Sequence, residues 1–194
     1  MDWCSGERIN SFALVQYLPE PLAGFIERLR RELVADCKAR AHVTVLPPRE
    51  LACPPEIAWK QMQDVLIQTA PFRVELQEVC LFQKSDVVYI AIGQGLRELE
   101  RLHNRLHSGH CQCNEDWSYH PHVTLAQKLP ADRVAQSFEQ AGRAWKAYDG
   151  PRNFAVDRLT FVQNTLDNQW VDLETYDLEA HRPGPVGAPL ELGR

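Results

Sequence analysis

A histidine and a threonine stand two residues apart twice in the chain, as His42-Val43-Thr44-Val45 and as His122-Val123-Thr124-Leu125. Residues i and i+2 of a strand project from one face, so each triplet would present an imidazole beside a hydroxyl and turn its valine the other way. An imidazole takes up or releases a proton near neutral pH, and a threonine hydroxyl can bond a phosphate oxygen without adding charge. Two such strands facing each other would supply what phosphodiester hydrolysis needs. One neutral histidine takes a proton from water, a protonated one gives a proton to the leaving oxygen, and the hydroxyls hold the non-bridging oxygens in line. With seven histidines and six threonines in 194 residues, one His-x-Thr triplet is expected about 0.2 times by chance, so the weight lies in there being two.

The elements that must position these triplets follow from periodicity. Alternation over residues 9–18 predicts a strand ended by Pro19 and Pro21. Leu22, Phe25, Ile26, Leu29, Leu33 and Val34 recur at three- and four-residue spacing and predict a helix over 20–35. Residues 41–46 are β-branched and closed by Pro47-Pro48, which predicts a short strand. A helix should start at Pro54-Pro55 and run through Leu66, followed by strands over 72–82 and 87–92. The pattern then restarts: a helix marked by Leu96, Leu99, Leu102 and Leu106, a strand over 119–127, a helix over 134–147, and strands over 154–163 and 170–178.

Strand, helix, strand, helix, strand is therefore given twice, and the copies share residues as well as order. Phe72-Arg73-Val74 answers Phe154-Ala155-Val156, and His42 precedes Phe72 by 30 residues where His122 precedes Phe154 by 32. An internal duplication would place the two triplets on equivalent strands across a shared groove. Residues 1–180 are expected to form one domain, with the Pro- and Gly-rich stretch 181–194 as a tail outside its core.

The composition is that of a globular protein, 44% hydrophobic and 24% charged. A net charge of −5 gives no overall basic footprint for long nucleic acid, which leaves a small anionic substrate or an RNA terminus held in a local electropositive pocket. No window nears the roughly 18 apolar residues of a membrane span, and residues 1–10 lack signal-peptide architecture. A cytoplasmic monomer is expected. Six scattered cysteines show no disulfide framework and are expected to be reduced thiols, mostly filling the core.

The doubled His-Val-Thr pattern, Tyr119-His120-Pro121 ahead of the second copy and the duplicated element order resemble the two-histidine (2H) phosphoesterase superfamily, in its RNA 2′,5′-ligase-like and 2′,3′-cyclic phosphodiesterase branches. The likeness covers about residues 9 to 178; the first copy has Ala41 where members often carry proline. The resemblance implies an α+β fold, bilobal and duplicated, with two mainly antiparallel sheets facing a central groove and helices on the outside. It implies His42, Thr44, His122 and Thr124 as the catalytic set, no metal or cofactor in the chemistry, and a nucleotide or RNA end as substrate. It also implies His42 as acid toward the leaving ribose oxygen and His122 as base toward water, an assignment that the near-symmetry of the repeat leaves open. The pH dependence should be bell-shaped, with limbs between about 5 and 9.

Other residues are candidates on local grounds. Arg40 and Arg49 flank the first triplet and could reach a phosphate; Tyr119 could stack on a base, and His120 lies in phase with His122 and Thr124. His103, His107, His110, Cys111 and Cys113 form a dense set of possible metal ligands, but without the paired Cys-x2-Cys knuckles of common structural zinc sites. A metal-binding protein built on that cluster, and a non-catalytic nucleotide-binding module, are the alternatives to the enzyme. Gly93-Gln94-Gly95 lacks the third glycine of a nucleotide loop and reads as a turn that opens a helix.

Overall fold

The computed structural model describes residues 6–180, so the predicted tail and Cys4 lie outside the described residues. The order is β1 (Arg8–Tyr17), α1 (Leu22–Leu33), β2 (His42–Arg49), α2 (Pro55–Leu66), β3 (Phe72–Phe82), β4 (Val87–Ile92), α3 (Leu96–Leu106), β5 (His122–Ala126), α4 (Ala131–Ala147), β6 (Asn153–Val156), β7 (Arg158–Thr165) and β8 (Trp170–Asp177). Two antiparallel four-stranded sheets result, ordered β2-β1-β7-β8 and β5-β4-β3-β6. The fold is α+β, and both triplets lie on edge strands, β2 in one sheet and β5 in the other.

The duplication is visible in the pairing itself. Phe72 pairs with Val156, Arg73 with Ala155 and Val74 with Phe154, so the segments matched by sequence lie antiparallel to each other. That register is what a local twofold axis between Arg73 and Ala155 produces. Beyond the axis each half lends its third strand to the other: β3 continues along β4, and the chain after Val156 continues as β7 along β1. The single strand expected over 154–163 is therefore two strands, broken at Asp157, where the chain passes between sheets and the Asp157 carbonyl accepts the Leu178 N–H at 2.7 Å.

The helices cross over in the same way. α1 packs against β5 and α4, whereas α3 packs against β2. Phe25 of α1 stacks on Tyr148 and meets Trp145, and Trp59 of α2 stacks on Phe161 of β7. One apolar cluster runs through both sheets, from Leu14, Leu22 and Val43 to Ile90, Val123 and Leu125. α3 contributes the stripe its spacing predicts, burying Leu99, Leu102 and Leu106 with His103 among them, whereas α2 buries Ala58, Trp59, Met62 and Leu66 and leaves Ile57 exposed.

Several boundaries differ from expectation, three of them for local reasons. α1 is shorter than 20–35. α4 starts at Ala131 rather than Val134, because Pro130 sets an entry that the next residues follow. β2 runs on through Pro47-Pro48 to Arg49, pairing Arg49 with Phe12. It is an edge strand, so prolines lacking an N–H cost it no ladder bond on the open side. The predicted strand 119–127 begins only at His122, after Pro121. Gly95 opens α3 at φ +87°, and a Cβ there would fall 2.5 Å from the Arg73 carbonyl, so only glycine fits this turn. The Gly93 N–H bonds the Glu75 carbonyl at 2.9 Å, which pins the loop to β3. Among the described cysteines none is paired; Cys111 is buried, but Cys37, Cys53, Cys80 and Cys113 are only half-buried, short of the core role expected for them.

Candidate active site

The strands carrying the triplets lie against each other where the sheets meet. Their burial alternates identically: His42, Thr44, His122 and Thr124 are half-buried on one face, while Val43, Val45, Val123 and Leu125 are buried on the other. The alternation follows from strand geometry once the valines are drawn into the core.

Both imidazoles are held in one way. His42 Nδ1 lies 2.7 Å from the Arg40 carbonyl, and His122 Nδ1 lies 2.7 Å from the His120 carbonyl. A carbonyl only accepts, so Nδ1 carries the proton in each ring and Nε2 is the atom left to exchange protons with a ligand. Twice in the fold, a backbone carbonyl two residues upstream fixes the tautomer.

The surroundings of the two rings differ. Burial pushes His42 down to about 4; the bond to Arg40 opposes this, and the charges of Arg30, His122 and Arg40 add to the fall. The buried Arg30 donates from Nη1 to the same Arg40 carbonyl at 3.1 Å, which brings a fixed cation close to His42. His122 is also lowered, by burial and by His120, against its backbone bond. Its neighbours are aromatic: Phe82 and Tyr89 meet the ring edge-on with centroids 5.1 and 5.2 Å away.

The remaining predicted residues divide. Arg40 lies beside His42; its guanidinium covers the Tyr17 ring at 3.5 Å and bonds Asp172 of β8 at 2.9 Å. His120 is exposed and adjoins Phe82 and His122 at 5.3 and 6.4 Å. Arg49 corrects the expectation of a phosphate ligand. Its guanidinium is buried and already donates to the Cys111 and Pro47 carbonyls and to Glu115 at 2.8 Å. Tyr119 is likewise committed: its ring stacks on His103 at 3.8 Å, and its hydroxyl donates to the Thr44 carbonyl at 2.8 Å, tying the approach to β5 onto β2. Of the dense His/Cys set, His103 and His107 come together with Glu115, while His110, Cys111 and Cys113 stay outside the group. Tyr17, Arg30, Phe82, Tyr89 and Asp172 were not signalled by sequence, since each reaches the rings only through strand pairing or helix packing.

No helix among the described residues is long and apolar enough to cross a membrane. A family model for the 2′-5′ RNA ligase superfamily matches residues 18–168. A relative in Geobacillus kaustophilus, named "Putative phosphoesterase", is 25% identical over 118 residues, 60% of this chain; the chain spans 65% of that relative, just under two thirds. A similarly named protein of Halalkalibacterium halodurans is 27% identical over 140 residues, 71% of this chain and 78% of its own. Two crystal structures of E. coli LigT, complexed with NADP+ and with 3′-AMP, share the fold at TM-score 0.56 and 18% identity over 89% of this chain and 97% and 98% of theirs. With a family model covering most of its length and both His-x-Thr triplets set on adjoining edge strands, the chain belongs to the 2′-5′ RNA ligase superfamily of 2H phosphoesterases.

Proposed function

We propose that the protein hydrolyses 2′,3′-cyclic or 2′,5′-linked phosphodiesters of nucleotides or RNA ends, using His42, Thr44, His122 and Thr124 and no metal in the proton transfers. The observation that carries this reading is the matched pair of imidazoles, each with Nδ1 bound to a carbonyl at 2.7 Å and Nε2 left for the substrate. LigT complexes with 3′-AMP and NADP+ support a nucleotide ligand by analogy.

The charges around the rings favour a division of labour opposite to the one the resemblance implies. His42, beside Arg30 and Arg40 and held near 4, is the neutral base that takes a proton from water at Nε2. His122, with fewer cations nearby, gains a proton more readily once the phosphate anion arrives and delivers it from Nε2 to the leaving ribose oxygen. The phosphoryl group passes from the ribose oxygen to water, and the proton lost by water balances the one gained by the leaving group. Thr44 and Thr124 hold the non-bridging oxygens, and the exposed Arg40 and His120 flank the entrance. A non-catalytic binding module would keep the groove without turnover. A panel of cyclic nucleotides, 2′,5′-linked dinucleotides and RNA with a cyclic phosphate end, assayed with and without chelator, decides between them: binding without product in every case removes the enzyme reading.

A further inference from the structure

Behind β2, and separate from the two triplets, α3 and the segment leading to β5 bring three potential ligands together. His103 is buried on α3, and its Nδ1 donates to the Val45 carbonyl at 2.9 Å, which turns the Nε2 lone pair toward Glu115 Oε2 at 3.4 Å. His107, one turn later, sets Nδ1 3.2 Å from Glu115 Oε1. Arg49 Nη1 lies 3.3 Å from the same Nδ1. A guanidinium only donates, so His107 Nδ1 meets Arg49 with its single lone pair, which an incoming ion would have to take over. Two imidazole lone pairs and a carboxylate therefore converge, their ligand atoms within 4.8 Å of one another.

The spacing is as close to a coordination edge as to a hydrogen bond. Charge-assisted bonds between imidazolium and carboxylate close to about 2.7–2.9 Å, and both His–Glu separations are longer, at 3.2 and 3.4 Å. Ligands about 2.05 Å from a tetrahedral zinc lie about 3.3 Å apart, the edge of the tetrahedron. The supporting contacts are also those of a metal centre: a backbone carbonyl orients His103 and an arginine holds Glu115. A pocket of about 400 Å³, lined also by Asn104 and Ser118, opens onto the group and leaves room for a fourth ligand.

We propose that His103, His107 and Glu115 bind a zinc-class divalent ion whose fourth position faces this pocket. The ion joins α3 to the segment before β5, and so braces Tyr119, which stacks on His103 and bonds Thr44. Its role is to hold β2 against β5, with no part in the proton transfers. The Arg49 guanidinium beside Glu115 opposes the incoming charge, so affinity is set against that ion pair.

The test uses the full chain, stripped with chelator and titrated with Co²⁺ and then Zn²⁺. One Co²⁺ per chain is expected, with visible absorption of tetrahedral nitrogen and oxygen coordination, displaced by Zn²⁺ and accompanied by a higher melting temperature. The isosteric Glu115→Gln and the truncating His107→Ala should each weaken binding about tenfold or more, while His42→Ala keeps it. Failure to bind Co²⁺ overturns the proposal, as does binding unchanged in Glu115→Gln. Loss in His42→Ala alone would move the ion to the triplets, and a sulfur-to-cobalt charge-transfer band would move it to Cys111 or Cys113; either result refutes the site.

Discussion

The division of labour between the histidines makes a quantitative prediction. With His42 held near 4, only about a thousandth of the free enzyme carries its proton at pH 7. Using it as the acid would then cost about 4 kcal/mol before chemistry begins, at 1.36 kcal/mol per pH unit. A general acid contributes roughly 10²–10⁴ in rate, so that cost would cancel most of the gain. His122→Ala should lower kcat by about 10²–10⁴ on a substrate whose leaving group is a ribose hydroxyl. It should recover most of the wild-type rate on a nitrophenyl phosphodiester, whose leaving group departs without a proton. His42→Ala should stay inactive on both, since water still needs its base. The assay compares single-turnover rates of the two variants on the two substrates. Rescue of His42→Ala with no rescue of His122→Ala would reverse the assignment, and wild-type rates in both variants would place the chemistry elsewhere.

Both rings are lowered, so the bell in kcat/KM should move below the range of about 5 to 9 expected from unperturbed histidines; a pH–rate profile with its lower limb above 6.5 would contradict this. Thr44→Ala and Thr124→Ala should each lose less kcat than the histidine variants, because each removes one hydrogen bond of about 0.5–3 kcal/mol, and steady-state kinetics on the ribose substrate ranks them. The lowered His42 also predicts acid lability. The unfolded chain binds more protons between pH 6.5 and about 4, so stability is lost as pH falls through that window, by up to about 3 kcal/mol, and His103 and His122 add in the same direction. Denaturant melts of wild type and His42→Gln at pH 7 and 4.5 should show the smaller pH dependence in the variant. Tyr119→Phe should cost about 1–3 kcal/mol by leaving the Thr44 carbonyl without its donor, a fall of a few degrees in Tm by thermal melt, and should lower kcat in the same steady-state assay.

The elements, and the side chains they would bring to one face, were legible in the residues alone. Alternation in His42-Val43-Thr44 and His122-Val123-Thr124 already assigns imidazole and hydroxyl to one face and valine to the core, because a strand has a period of two whatever its neighbours. The repeat from Phe72 to Phe154 was legible because duplication preserves spacing. Tertiary structure alone decided which strands meet. Self-pairing of Phe72–Val74 with Phe154–Val156 creates the local twofold, exchanges third strands between halves and brings β2 against β5; no local propensity encodes that exchange. It also decided the charges. Arg30 lies twelve residues before His42, yet it reaches the Arg40 carbonyl from a buried helix face, and this proximity separates two rings that their motifs make look alike. Arg49 and Tyr119, flanking the motifs in sequence, were drawn instead into the packing behind β2, because a buried guanidinium and a half-buried phenol find partners wherever the fold places them.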